Sequence, residues 1–281
     1  MYADAIAWAQ QHLDRVVTHA VPLVGGMTST MLALHDESGV AAVLRLIDQQ
    51  PWRTHGPDLV ARESTTQQTL LRTAVPAPAS LATDLDGRST SHPAHLMTLV
   101  PGALDTSRCD DDALTAMAAL LASIHAVEAI PPPREFQSWA WPAKWVVPAW
   151  ARRPELWRAA FDVLAADPPP FARVFLHRDF SPRNLLWSGD TITGVVDWVE
   201  TSTGPAWLDV AHCATNLAVR HDTVTGQRFA SAYSRLTGVE RDSYWDVMDV
   251  VGFLPPPGRR GMFDEPGQRV RLEEHLVWAL T

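Results

Sequence analysis

The sequence predicts an α+β fold in two parts, a strand-rich first hundred residues and a mostly helical remainder. Three observations carry this reading. Short β-like runs separated by hairpin chemistry crowd the first part, apolar residues at helical spacing dominate the second, and Pro101-Gly102 breaks the pattern between them. The boundary follows, with one part at 1–100 and the other at 101–281.

Taken in order, residues 3–17 read as a first helix. Three β-like runs follow at 20–24, 31–35 and 40–47, with Gly25-Gly26 between the first two and Asp36-Glu37-Ser38-Gly39 between the second and third. A helix over 57–73 begins with Pro57, a residue suited to a first helical turn. Two further runs at 80–85 and 94–100 flank Asp86-Gly87 and complete an antiparallel sheet with one inserted helix. Beyond the break, helices are expected over 110–125, 154–166, 206–217, 223–236, 241–253 and 268–280. One hairpin interrupts them: residues 184–187 and 191–198 around Ser188-Gly189-Asp190.

Composition narrows the function classes. A formal net charge of −9 argues against a nucleic-acid binder, which needs a basic stripe, and is compatible with a cationic ligand. Two cysteines, Cys109 and Cys213, do not make a disulfide framework, and the first residues lack the basic start and apolar run of a signal peptide. A cytoplasmic setting fits both. The longest apolar stretch, 113–130, contains Thr115, Ser123, His125 and Glu128 and reads as a buried helix, so no membrane span is expected. The histidines and cysteines show no zinc spacing. Nothing in the sequence speaks to oligomeric state.

The most informative stretch is residues 175–187, where His177, Arg178 and Asp179 are followed by Asn184. This matches H-R-D-x-x-x-x-N, a spacing that phosphoryl transfer explains. A carboxylate must orient an attacking hydroxyl and accept its proton, and a second oxygen donor nearby must hold Mg²⁺. The hairpin that follows ends in Val195-Val196-Asp197-Trp198. An aspartate closing an apolar strand is costly unless paired or metal-bound, and the hairpin is expected to bring it beside Asn184 as a second ligand.

On these residues the chain resembles the aminoglycoside phosphotransferase family, the kinase-like antibiotic phosphotransferases, from about residue 20 to about residue 215. The resemblance implies a protein-kinase-like, two-lobed fold: a nucleotide-binding lobe at 1–100 and a helical lobe with catalytic loop and acceptor site at 101–281. It implies Asp179 as catalytic base, Asn184 and Asp197 as Mg²⁺ ligands, and Asp209 as a buttress of the loop. Many members carry Gly where Arg178 stands, and Ser181 occupies a position where protein kinases often have lysine. Arg183 is a candidate for the missing charge, or a solvated surface residue.

Kinase-like proteins also hold a cation on the third strand against a carboxylate of the inserted helix. The only lysine of the chain, Lys144, lies elsewhere in sequence, so Arg45 takes this place, and Glu63 shares a helix face with Val60, Gln67 and Leu70 that points it inward. The same pair also serves purely structural roles in many folds. Gly25, Gly26, Thr28 and Ser29 offer backbone and hydroxyl donors for phosphate, and backbone groups of Thr98 and Val100 stand where adenine pairs in the family. The donor implied is ATP, with GTP as a second admissible donor.

Only eleven residues separate Asp197 from Asp209, too few for a peptide-docking segment, so the acceptor is expected to be a small molecule. Antibiotics lead: aminoglycosides, macrolides or basic peptides of the capreomycin and viomycin kind. A metabolic sugar, choline or homoserine kinase and a nucleotide-binding pseudokinase are the alternatives. Acceptor contacts are sought at Trp139, Trp141, Trp145 and Trp150, for which core packing is the simpler reading, and in the loop 255–267 with Asp264 and Glu265. Asp246 and Asp249 read as a solvated helix face, His125 and His212 as packed polar residues, and His177 as a structural support of the loop.

Overall fold

The computed structural model describes residues 2–23, 29–259, 261–263 and 265–281. Chain contacts divide it into two compact units. The first comprises Met1–Ala103, Leu186–Ser188 and Thr193–Glu200; the second comprises Leu104–Leu185, Gly189–Ile192 and Thr201–Thr281.

The first unit is built on an antiparallel sheet of β1 (His19–Leu23), β2 (Thr30–Asp36), β3 (Gly39–Leu46), β4 (Ser80–Asp84) and β5 (Ala94–Met97), in the order β1-β2-β3-β5-β4. Alternation along the strands sorts its two faces. Leu32 and Leu34, Ala42, Leu44 and Leu46, and Ala94 and Leu96 pack on Ala5, Trp8 and Ala9 of helix α1 (Ala3–Gln10). Arg45, between Leu44 and Leu46, therefore projects from the opposite face, where helix α2 (Gly56–Leu70) buries Val60, Glu63, Gln67 and Leu70. Arg45 lies in register with Met31 on one neighbour and His95 on the other.

Helix α1 is shorter than the sequence predicts, stopping at Gln10 instead of Val17. The cause is local. The Gln10 side chain donates to the Arg15 carbonyl at 2.8 Å and accepts from the Val17 amide at 2.7 Å, so it satisfies backbone groups that a longer helix would use.

A two-residue strand, β6 (Ala103–Leu104), precedes the helices of the second unit: α3 (Asp111–His125), α4 (Pro154–Leu164), α5 (Trp207–Arg220), α6 (Thr223–Thr237), α7 (Ser243–Gly252) and α8 (Pro266–Ala279). Asp110, Asp222 and Asp242 cap α3, α6 and α7 with their side chains, and Gly238 closes α6 in the left-handed conformation. Helix α5 is the axis of this unit, buried at every residue from Trp207 to Val219. Strand β7 (Val174–Leu176) leads into the H-R-D loop and pairs antiparallel with β10 (Ser202–Gly204), a strand that the sequence reading did not contain. The expected hairpin is present as β8 (Leu185–Ser188) and β9 (Thr191–Val195). Among the described residues no helix is long and apolar enough to cross a membrane.

Helices α5 and α6 approach closely at Gly226, where an added Cβ would lie 2.5 Å from the Ala214 carbonyl oxygen. Alanine gains about 0.5–1 kcal/mol in helix propensity over glycine, but overpacking costs about 1–3 kcal/mol. Gly226→Ala is therefore expected to lower the urea midpoint of unfolding. An unchanged or raised midpoint would show that the helices part without cost.

Candidate active site

In the second unit the H-R-D loop rests on α5. Asp209, His212 and Asn216 follow helical spacing and share one face of that helix. The Asp209 carboxylate accepts the backbone N–H of His177 at 2.8 Å and of Arg178 at 2.7 Å. It also accepts His125 Nε2 at 3.3 Å, and His125 Nδ1 in turn meets the Tyr233 hydroxyl at 2.6 Å. Burial raises the Asp209 pKa, but the His125 hydrogen bond and the surrounding positive groups outweigh it and hold the carboxyl below its ordinary value.

This anchor forces a left-handed turn. Arg178 has φ +75°, a conformation that favours glycine. Arg178 is buried, with its guanidinium stacked 4.0 Å from the Trp139 ring centroid. His177 supports the turn from within, since its Nδ1 accepts the Asp179 amide at 3.2 Å.

The turn delivers Asp179 with both oxygens engaged. Asn184 Nδ2 donates to Asp179 Oδ2 at 3.1 Å and to its backbone carbonyl at 2.8 Å. Asp179 Oδ1 lies 2.9 Å from His212 Nε2. About a third of the side chain, 32%, remains exposed. Burial works against its charge, yet the His212 hydrogen bond and nearby His177 and Arg183 keep its pKa below the ordinary value, so it is a carboxylate at neutral pH.

His212 continues to a second acid, with Nδ1 2.9 Å from Asp249 Oδ1. Asp249 and Asp246 are both buried and do not form the solvated face that their sequence positions suggest. Asp249 is held by His212, and Asp246 by Arg241 and the Trp207 indole. Burial lowers the His212 pKa, but Asp249 and then Asp179 reverse the effect and raise it to about 9. Arg183 is exposed and reaches Asn216 Oδ1 at 3.5 Å.

In the first unit Arg45 forks as expected from the strand and helix pattern, with an additional partner. Its Nη1 donates to Glu63 Oε1 at 3.0 Å, its Nη2 to Asp197 Oδ1 at 3.0 Å, and its Nε to Met31 Sδ at 3.2 Å. Glu63 also meets His95 Nδ1 at 3.0 Å and accepts the Trp198 amide at 3.3 Å. Burial raises the Glu63 pKa, but Arg45 first and then His95 outweigh it and keep the acid ionised. Asp197 has φ +67°, a left-handed conformation that aspartate tolerates better than most side chains.

The remaining predicted nucleotide contacts divide. Gly25, Gly26 and Thr28 lie outside the described residues. Ser29 is buried, and its hydroxyl has no hydrogen-bond partner. The Thr98 amide donates to the Ala79 carbonyl at 2.9 Å. Val100 packs on Gly194, where the missing Cβ makes room for it.

None of the four tryptophans considered for the acceptor is fully buried, against the core-packing expectation. Trp139 lies between Arg178 and His212, Trp141 is exposed and faces Lys144, and Trp150 meets Trp157 edge-on. Asp264 lies outside the described residues, and Glu265 sits at the start of α8. Sequence reasoning missed His212, Asn216, Asp249 and His95. The available signal was three polar residues on one face of an otherwise apolar helix, LDVAHCATNLAV.

A family-level comparison matches residues 19–249 to the phosphotransferase enzyme family. The chain belongs to this family. It is an ATP-dependent phosphotransferase with an alcohol group as acceptor. Solved structures share the fold. One is a thermostable mutant of aminoglycoside phosphotransferase APH(4)-Ia in ternary complex with ADP and hygromycin B, 16% identical over 99% of this chain and 95% of that one, TM-score 0.61. Another is the amicoumacin kinase hAmiN in complex with AMP-PNP, Ca²⁺ and Ami, 11% identical over 98% and 92%, TM-score 0.61. A third is the macrolide 2'-phosphotransferase MphH from Brachybacterium faecium, 18% identical over 99% and 97%, TM-score 0.60. By sequence, none of the curated proteins compared matches the chain.

Two outcomes test this electrostatic arrangement. Glu63→Ala leaves the buried Arg45 guanidinium with Asp197 but takes the acceptor from its Nη1 and from His95, and is expected to cost about 3 kcal/mol, read by urea unfolding. A loss under about 1 kcal/mol would show the pair to be relaxed by water. The second outcome concerns pH. The folded pKa of His212 is raised above its unfolded value of about 6.5, so its stabilisation is complete below that pH and is lost as pH rises towards about 9. Lys144, lowered to about 8 by burial, acts in the opposite sense above that pH, so the diagnostic window is about pH 6.5 to 8. Stability should fall across it, and His212→Gln should flatten the fall.

Proposed function

We propose that the chain transfers the γ-phosphoryl group of ATP, with Mg²⁺, to a hydroxyl of a small-molecule antibiotic in the cytoplasm, and so confers resistance. Aminoglycosides, macrolides and basic peptide antibiotics are the acceptor classes, and GTP is a second admissible donor. The observation that carries the reading is the Asp179 carboxylate: ionised, clamped by Asn184 and His212, and still one-third open for a hydroxyl.

The proposed chemistry assigns the proton to Asp179. The acceptor hydroxyl donates a hydrogen bond to this carboxylate, which orients its lone pair and takes the proton as the new P–O bond forms and the bond to the leaving nucleoside diphosphate breaks. Asn184 and Asp209 keep Asp179 in place. Asn184 and Asp197 are the proposed cation ligands, and their chemistry fits a hard divalent ion. Asn184 turns its amide nitrogen to Asp179, which leaves the side-chain oxygen to offer a metal, and Asp197 adds a carboxylate. Mg-ATP, when bound, supplies the phosphoryl group, with the metal neutralising charge on the phosphates. Arg45, itself held by Glu63, donates to Asp197 and orients it. Arg45 spends three of its five N–H groups on Met31, Glu63 and Asp197, and a phosphate contact would use one of the others. Ser29, Thr98 and Val100 complete the proposed nucleotide contacts.

Two features support a small acceptor. The eleven residues between Asp197 and Asp209 are used up by a single 3-10 turn (Trp198–Glu200), by β10 and by the first residues of α5. The net charge of −9 suits a cationic acceptor. The antibiotics named with the similar structures are chemically unlike one another, so the fold supports the class and leaves the member to experiment.

The test is mass spectrometry of antibiotics from these three classes after incubation with the protein and Mg-ATP. A gain of one phosphate on any of them is expected. Asp179→Ala is expected to abolish the transfer while Mg-ATP still raises the melting temperature. Full turnover by the variant would remove Asp179 from its assigned role. No product with any antibiotic, alongside phosphorylation of choline, homoserine or a sugar, would replace the antibiotic reading.

A further inference from the structure

The acid beyond His212 extends the site past the residues that the motif contains. His212 is buried on α5, with Asp179 Oδ1 2.9 Å from Nε2 and Asp249 Oδ1 2.9 Å from Nδ1. A carboxylate only accepts, so a ring held by one at each nitrogen donates from both and is an imidazolium. One cation thus stands between two acids. Its ring plane is set by Phe253, stacked at 5.2 Å and 11°, and by Trp139, edge-on at 5.3 Å.

Asn216 settles the donor assignment further. Its Nδ2 lies 3.2 Å from His212 Nε2 and 2.9 Å from the His212 carbonyl. Nδ2 is itself a donor, and the protonated Nε2 cannot accept, so the carbonyl is its acceptor. Nε2–H is thereby committed to Asp179. Asp249 is buried on α7, and its charge acts also on Lys144 and His275. The link Asp249–His212–Asp179 therefore ties the loop to both α5 and α7.

We propose that His212 is a positioning residue for phosphoryl transfer: backed by Asp249, it fixes the Asp179 carboxylate from the Oδ1 side, opposite the Asn184 clamp on Oδ2, so that the exposed edge meets the acceptor hydroxyl in one orientation. The inference rests on the reading of Asp179 as the group that receives the acceptor proton. A carboxylate beside an imidazolium is a weak base, which suits a transfer whose transition state is loose and whose demand on Asp179 is orientation more than basicity. Misplacement of a positioned group by about 1 Å costs on the order of 100-fold in rate.

The test uses hydrolysis of Mg-ATP by the full chain, read as phosphate release, which needs no identified acceptor. His212→Ala is expected to lower kcat by about 10–100-fold with the ATP KM within about twofold of wild type. Added imidazole should restore part of the rate in His212→Ala and none in Asp179→Asn, and Asp249→Asn should fall between wild type and His212→Ala. Wild-type kcat in His212→Ala, or a loss that matches the unfolded fraction and ignores imidazole, overturns the proposal. Nitrogen-labelled histidine in the wild-type protein gives a second readout independent of folding in the variants. Two ring protons on His212 at pH 7.5, with the Nε2 proton shifted in Asp179→Asn, are expected; a single ring proton overturns the proposal. Undiminished hydrolysis by Asp179→Ala would remove the reading of Asp179 and this inference with it, whereas an inert Asp179→Ala beside a fully active His212→Ala would remove this inference alone.

Discussion

Two backbone amides, those of His177 and Arg178, end on the carboxylate of Asp209, and the position of Asp179 depends on them. Both bonds are short and buried, so losing the carboxylate would strand two donors away from water. The acid is itself held by His125, which is held by Tyr233, so the loop is tied through α5 to α3 and α6. A loop anchored by its backbone can place a side chain more closely than one packed by side chains alone, because the amides fix φ and ψ directly. The left-handed turn at Arg178 follows from this anchoring. Glycine would meet it without strain; arginine meets it with compensation from the Trp139 stack.

The same economy of charge appears in both units. In the first, Arg45 sits between Glu63 and Asp197, with His95 on the far oxygen of Glu63. In the second, His212 sits between Asp179 and Asp249. Each buried acid has a cationic or hydrogen-bond donor partner, as the cost of burying an uncompensated charge requires. In each case one acid assigned to the chemistry is balanced by a base held on the other side by a second acid. That arrangement orients Asp197 in the first unit, and in the second it both orients Asp179 and keeps it ionised.

The half-buried tryptophans, the Phe253 stack on His212 and the buried Asp249 are features of the second unit that the motif does not dictate. The connection from Asp197 to Asp209 is eleven residues long and is taken up by one 3-10 turn, by β10 and by the start of α5.

Much of the frame was legible in the sequence, because it is encoded by local patterns. Strand alternation placed Arg45 opposite the Leu44 and Leu46 face, helical spacing placed Glu63 inward, and the Asp179 to Asn184 interval marked the loop. Those patterns need only near neighbours in the chain. Other features did not follow from neighbours. Helix α1 ended early because one glutamine side chain took up backbone groups. Strand β10 existed only through its pairing with β7, where Thr203 meets Phe175 from 28 residues away along the chain. Asp249 looked like a solvated acid and became a buried one because α7 packs on α5 and His212 was there to meet it. The sequence by itself determined the fold class and marked the loop from His177 to Asn184, since periodicity and motif spacing are local properties. Tertiary structure alone decided which acids are buried and which base holds Asp179, since a charge is buried or paired only by residues that packing brings together.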